Sequence, residues 1–213
     1  VDQIMASCLD VMKQLGAELV DPVDLDEKFS ETELEVLYYE FKADLNAYLA
    51  GLGPDAPVHT LSEIIEFNEK NAGRVMPFFG QERMLLAEAK GPLTDEAYLK
   101  ALETNHRLTR AEGIDALLKQ HNLDAIVAPS GGPAWLTDLV TGDHSDGGGV
   151  SAPAVAGYPH ITVPAGQIYG LPVGISFFAG AFQEPALLRL AFAFEQARAA
   201  RKPPCFLPTV DLG

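Results

Sequence analysis

Apolar residues recur at spacings of three and four over the first 120 positions, then bunch into short runs after position 123. The first pattern predicts helices and the second predicts strands. Ile4, Met5, Leu9, Met12 and Leu15 mark an amphipathic helix over 3–15, which Gly16 can end. Ala17-Glu18-Leu19-Val20 then reads as a short strand before Asp21-Pro22. Over 31–49, Leu34, Leu37, Tyr38, Phe41, Leu45, Tyr48 and Leu49 form one apolar helical face. Ser30 is the expected N-cap, with Glu31 and Glu33 in the first turn. Gly51, Gly53, Pro54 and Pro57 break the chain before a short helix from Leu61 to Asn71, capped by Thr60 or Ser62. The stretch Met76 to Glu82 is apolar but interrupted by Pro77 and Gly80, and it is expected in or against a core. A long helix follows over 95–120, entered at Thr94 and interrupted near Gly113.

The second half has a different texture. Leu123 to Pro129 is a short buried strand ending at proline. Residues 130–150 are glycine-rich loop, and a loop of that length in a compact domain usually serves a function or is disordered. His160 to Pro164 and Val173 to Phe178 are two strands joined through Gly166, Gly170 and Pro172. A last helix runs over 184–201 and buries Leu187, Leu188, Leu190, Ala191, Phe194 and Ala197, before a proline-rich tail. The strands are too few to close a sheet, and unpaired edges need cover, which argues for a missing partner segment.

Composition changes this picture little, but it excludes some functions. The chain has 213 residues, 47% of them hydrophobic, which is ordinary for a globular protein. Its formal net charge of −15 repels phosphate backbones and anionic membrane surfaces, so neither nucleic acid nor a membrane is an expected partner. No apolar run approaches the roughly 20 residues of a membrane helix. The N-terminal residues carry no export signal, which tips the compartment toward the cytoplasm. Cys8 and Cys205 have no metal spacing; they pair only if the fold joins the chain ends. The lack of an initiating Met suggests that the natural start lies upstream, although a processed chain would look the same.

Several segments carry a resemblance. Asp124-Ala125-Ile126-Val127-Ala128-Pro129-Ser130 is similar to the buried strand and Pro-Ser turn of the amidase signature family. Ala156-Gly157-Tyr158-Pro159-His160-Ile161-Thr162-Val163-Pro164-Ala165-Gly166, then Gly170-Leu171-Pro172-Val173-Gly174-Ile175, resembles a second element of that family. Phe79-Gly80-Gln81-Glu82, the helix from Glu184 through Leu187 and Leu188, and the segment Phe41 to Leu49 resemble further elements, the last of them in the peptide-amidase-like branch. The matches run from 41 to 195 in the family's order.

The resemblance implies an α/β fold: the C-terminal portion of the amidase signature fold, a mixed β-sheet flanked by helices, left incomplete. It implies that residues 1–213 are the C-terminal part of a single such domain. The family uses a Ser–cis-Ser–Lys triad, in which a neutral lysine, acting through a bridging serine, takes the proton of the nucleophilic serine. Backbone N–H groups of a glycine-rich loop hold the oxyanion. No cofactor or metal is implied. The family's lysine and Gly-Ser-rich loop belong to its N-terminal half, and no Ser-Ser pair occurs in this sequence. No catalytic residue is therefore assigned, and the N-terminal half of the same polypeptide becomes the expected partner, beside a small amide substrate.

Five residues stand as substrate-binding candidates. Gln81 and Glu82 could line an acyl or leaving-group pocket, or instead satisfy backbone groups in an irregular loop. Trp135 follows a strand end, where ligands of α/β sheets collect; it could form a substrate wall or plug the core. Asp138 could orient a substrate amine, although with Asp143, His144 and Asp146 it reads first as a solvated acidic loop rather than a metal cluster. Ser151 could face the pocket, with helix capping as the default. Gly147-Gly148-Gly149 lacks the context of a phosphate loop. Tyr38, Phe41 and Tyr48 read as core; Asp44 and Asn46 lie off their stripe and could reach a pocket. The scattered His59, His106, His121 and His160 show no partner spacing.

The leading expectation is thus the C-terminal region of an amidase acting on carboxamides, including peptide C-terminal amides, and inactive alone. The rival is a non-catalytic binding or scaffold subunit that keeps the fold. A nucleotide-binding domain lacks any Gly-x-Gly-x-x-Gly sequence. A severed fold would also expose apolar surface and so dimerise or aggregate.

Overall fold

A computed structural model describes residues 1–21, 25, 28–143, 148–204 and 206. In chain order its elements are α1 (Asp2–Gln14), α2 (Ser30–Ala50), α3 (Leu61–Lys70), α4 (Ala72–Val75), α5 (Glu82–Glu88) and α6 (Glu96–His106). A π-helical segment (Arg107–Ile114) follows, then α7 (Asp115–His121), β1 (Ile126–Pro129), α8 (Ser151–Ala156), β2 (His160–Ile168), β3 (Leu171–Phe178) and α9 (Glu184–Arg198). The chain divides into two compact units, one made of Val1–Glu27 with His106–Gly213 and the other of Lys28–Asn105.

The first unit is built on a three-stranded sheet in the order β1-β3-β2, with both neighbouring pairs antiparallel. Side chains alternate across the sheet, so Val173, Ile175 and Phe177 of β3 and Val163 and Ala165 of β2 share one face. That face packs on α1 and α9 through Cys8, Met12, Leu187, Ala191 and Phe194 to make the unit's core. The hairpin between β2 and β3 turns at Tyr169-Gly170, both at positive φ, and both strands run further than their apolar runs suggest.

Two expectations in this unit need correction. Residues 17–20 form no strand: the amide of Ala17 folds back onto the Met12 carbonyl, and Gly16 at φ +92° turns the chain. On α9, Leu187, Ala191 and Phe194 are buried as expected, but Leu188, Leu190 and Ala197 are exposed. The sheet meets a narrow stripe of that helix at i, i+4 and i+7, not half its circumference. The break near Gly113 is present: its φ of −109° and ψ of −108° are non-helical, and a Cβ there would lie 2.5 Å from the Leu108 carbonyl oxygen.

The second unit is helical. On one side α2 packs Val36 and Tyr39 against Tyr98 and Ala101 of α6. On another, Tyr38 and Leu45 lie against Leu61, Ile65 and Ala87 of α3 and α5. The expected single apolar face of α2 is therefore corrected, because Leu34, Leu37, Phe41 and Tyr48 are exposed while Val36 and Tyr39 are buried. Ser30 is also not the cap but the first helical residue; buried Phe29 holds the cap position, where its carbonyl accepts from the Thr32 hydroxyl at 2.9 Å. Thr60 does cap α3, accepting the Glu63 amide at 3.2 Å. The Tyr98 hydroxyl donates to Glu40 at 2.8 Å, and burial together with that carboxylate pushes its pKa up to about 12.

Candidate functional site

The sheet's second face, opposite the core, carries the least ordinary chemistry of the first unit. Ala128, Ser176 and Thr162 lie side by side across the three strands, and Ser130 follows one pleat beyond Ala128, opposite Gly174. The Ser130 and Ser176 hydroxyls are 2.7 Å apart, those of Thr162 and Ser176 are 3.1 Å apart, and Ser130 donates to Thr162 at 3.3 Å. Ser176 is fully buried, whereas Thr162 is exposed. A closed ring of three hydroxyls spends one donor and one acceptor per group and leaves one lone pair on each. Gly174 leaves the space that the ring occupies: a Cβ there would meet Thr162 Cγ2 at 2.7 Å and Ser130 Oγ at 2.8 Å. Thr162 and Ser176 were missed as site candidates because a hydroxyl in an apolar strand gives no motif; only strand pairing brings the three together.

Beyond Ser130, residues 131–143 run without helix or strand. Trp135 leaves 52% of its surface open, more than a core plug would. Asp138 turns its carboxylate inward on its own loop: Oδ1 accepts from the amides of Val140 at 2.8 Å and Thr141 at 2.9 Å, and Oδ2 from the Thr141 hydroxyl at 2.7 Å. Those bonds, led by the Thr141 hydroxyl, hold its pKa below the usual carboxylate value. Gly148 and Gly149 return against the end of β1; Gly149 donates to the Pro129 carbonyl at 3.0 Å, and a side chain there would strike Ala128. Ser151 opens the six-residue helix α8 and is half-buried, and no side chain caps that helix. His144, Asp146 and Gly147 lie outside the described residues, as does Cys205.

In the second unit a hollow of about 450 Å³ is lined by Asn68 and by the run from Val75 to Met84. Gln81 and Glu82 both reach its wall. The Gln81 side chain is a tie between helices: Nε2 donates to the Ile65 carbonyl and Oε1 accepts from Asn68, each at 3.1 Å. Glu82 is exposed in the first turn of α5 and leans over Gly80. The expectation that this stretch lies in a core is corrected, since Phe78 is 69% and Phe79 58% exposed. Phe78 and Phe79 line the hollow from its exposed side, while Gln81 bonds into α3. Asn46 binds the Leu61 amide at 2.8 Å and serves α3 instead of the hollow.

His160 lies against the Phe178 ring at 6.4 Å between centroids, and burial lowers its pKa. Among the described residues no three His, Cys, Asp or Glu side chains gather as a metal-binding group.

Comparison with known proteins decides the family. A family model described as Amidase matches residues 1–188. This chain belongs to the amidase family. A probable amidase of Arabidopsis thaliana is 41% identical over 173 residues, which is 80% of this chain but 30% of that protein. The indoleacetamide hydrolase of Pseudomonas savastanoi is 28% identical over 92% of this chain and 42% of its own length. Among solved structures, a peptide amidase in complex with chymostatin superimposes with a TM-score of 0.89 at 42% identity. It covers 96% of this chain and 42% of its own. The native peptide amidase from Stenotrophomonas maltophilia gives a TM-score of 0.86 at 40% identity, covering 96% of this chain and 41% of that one. This amidase chain thus spans less than half the length of these relatives, and its α/β fold is a partial amidase signature fold.

Proposed function

We propose that this chain is the C-terminal, substrate-pocket region of an amidase that hydrolyses carboxamides, with peptide C-terminal amides as the favoured substrates. The observation that carries the reading is the likeness to peptide amidase over nearly the whole chain, at 42% identity and a TM-score of 0.89. The nucleophile, its bridging serine and the lysine base lie outside these 213 residues, which contain no Ser-Ser pair. Attack on the amide carbonyl, release of ammonia or an amine and hydrolysis of the acyl-enzyme need that triad and its oxyanion donors together.

The pocket residues differ in what they are free to do. Trp135 is the strongest candidate for a substrate wall, because half its surface is open beside a strand end. Ser151 and the Asp138 turn frame the same loop region in sequence. Gln81 and Glu82 line the hollow of the second unit, where the Gln81 amide is already bonded on both sides and so acts by shaping the wall.

The test is hydrolysis of an N-acetylated peptide amide, followed by ammonia release, with the free-acid peptide as control. The longer product encoded by the same gene is expected to release ammonia and to react with a serine-directed phosphonate. The 213-residue chain is expected to do neither. Turnover by the 213-residue chain alone would overturn the placement of the triad, and an inert longer product would overturn the enzymatic reading.

A further inference from the structure

Six of the eleven residues around the hollow of the second unit are apolar, among them Met76, Phe79 and Met84. Its volume of about 450 Å³ falls in the range of small-ligand pockets, roughly 300–1,000 Å³. Four polar side chains complete the wall, and their bonds leave one carboxylate unmatched. Gln81 is bonded at both ends of its amide, to the Ile65 carbonyl and to Asn68. The Asn68 amide nitrogen donates to Gln81 and lies 3.8 Å from the Met84 sulfur. Arg83 is held at Tyr38, which is not part of the wall: Nη1 donates to its hydroxyl, and the guanidinium lies 5.9 Å from the ring centre. Glu82 is different. Among the described residues, nothing donates to its carboxylate and no cation pairs with it.

Gly80 gives that carboxylate its place. A Cβ at Gly80 would lie 2.5 Å from Glu82 Oε1, and the whole carboxyl group falls within 3.3 Å of it. The φ of Gly80 is not positive, so the backbone conformation does not itself call for glycine. The carboxylate therefore lies along the wall instead of extending freely into water. An unpaired carboxylate beside methionine and phenylalanine side chains selects its ligand. An acidic group meets a like charge there. A purely apolar group draws water from the carboxylate without pairing it, which costs free energy. A cation on an apolar stem meets both surfaces: the head pairs with Glu82 close to the exposed Phe78 and Phe79 rings, which attract it further, and the stem covers the methionines. The net charge of −15 favours the approach of such a ligand.

We infer that this hollow binds a lysine or arginine side chain of the peptide amide substrate, with the charged head at Glu82 and the apolar stem against Met76 and Met84. The inference rests on the reading of the chain as the pocket region of a peptide amidase, and it adds the charge of the substrate to that reading. Gln81 and Asn68 hold the wall through their mutual bond, whereas Glu82 determines which side chains the hollow accepts.

Two probes without an amide test binding alone: n-pentylammonium and its neutral counterpart pentanol, titrated into the 213-residue chain and into the longer product. The NMR signals of the Met76 and Met84 methyl groups report occupancy of the hollow. The ammonium should bind about tenfold more tightly than the alcohol in both proteins, from one partly exposed ion pair and one cation–π contact. Glu82→Gln should bring the two affinities together. Equal affinities in the unsubstituted proteins, or a preference that survives Glu82→Gln, would overturn the inference. So would methyl shifts in the chain alone that vanish in the longer product, since the rest of the polypeptide would then fill the hollow. Hydrolysis by the longer product is read separately, as the ratio of kcat/KM for N-acetyl-lysine amide to that for N-acetyl-norleucine amide. That ratio should fall about tenfold in Glu82→Gln, by the same two contacts. An unchanged ratio in an active enzyme sinks this inference alone. A longer product that hydrolyses neither amide, yet still prefers the ammonium through Glu82, sinks only the hydrolytic reading.

Discussion

Ser176 has no exposed surface, and its hydroxyl is satisfied by Ser130 and Thr162. The space for that ring is set by Gly174, whose missing Cβ would sit within 2.8 Å of both neighbours. Gly174→Ala is therefore expected to destabilise the first unit by about 1–3 kcal/mol through overpacking, read as a lower urea midpoint. Cys8 is equally local. Its thiol is fully buried, burial raises its pKa, and the nearby Arg198 guanidinium offsets this only in part. Native protein should thus alkylate slowly at Cys8 with iodoacetamide and rapidly once unfolded, as followed by mass spectrometry. Asp138 titrates in the opposite sense to the thiol. Its folded pKa is depressed, so the turn through Thr141 is fully stabilised above the unfolded carboxylate value of about 3.9. That contribution disappears as pH falls through the lower folded value. The Thr141 amide resonance should report that transition, and its persistence in Asp138→Asn would show that the carboxylate is not its source.

Helices here are held by side chains that look like site residues in the sequence. Gln81 stands in a motif-like Phe-Gly-Gln-Glu run, yet its amide joins α3 to α5 through Ile65 and Asn68. Gln81→Ala should cost about 1–2 kcal/mol of stability for two lost hydrogen bonds. If Gln81 instead contacted substrate alone, the melting temperature would stay put and only KM of the longer protein would rise. The cap of α3 was legible to within two candidates, Thr60 and Ser62, because an N-cap is a local device; the structure selects Thr60. The faces of α2 and α9 were less so. Periodicity showed that each is an amphipathic helix, but Val36 and Tyr39 of α2 took the places expected for Leu34 and Leu37. Helical spacing says that apolar residues share a stripe; it does not say which of two adjoining stripes meets a neighbour.

Among the described residues, several large apolar side chains stand exposed on the helices. Leu34, Leu37, Phe41 and Tyr48 are exposed on α2, and Leu188 and Phe192 on α9. Contiguous patches of this kind mark contact surfaces. The isolated chain is expected to associate as concentration rises, measured by sedimentation velocity, and Leu37→Glu with Phe41→Glu should reduce that association. A chain that stays monomeric at every concentration would show that these side chains need no cover. No described helix is long and apolar enough to cross a membrane.

Local information was enough to read the first helix, expected over 3–15 and found over 2–14, a cap at Thr60 or Ser62, the break near Gly113, the two hairpin strands and the family resemblance carried by their motifs. Each depends on residues within a few positions of one another: a side-chain period, a cap, a glycine, a proline. The hydroxyl ring of Ser130, Thr162 and Ser176 and the tie of Gln81 to α3 were not readable. They depend on which strand lies beside which, and in what register. Pairing between distant segments is settled by the packing of the whole unit, because the same alternation of side chains fits several registers until a core selects one.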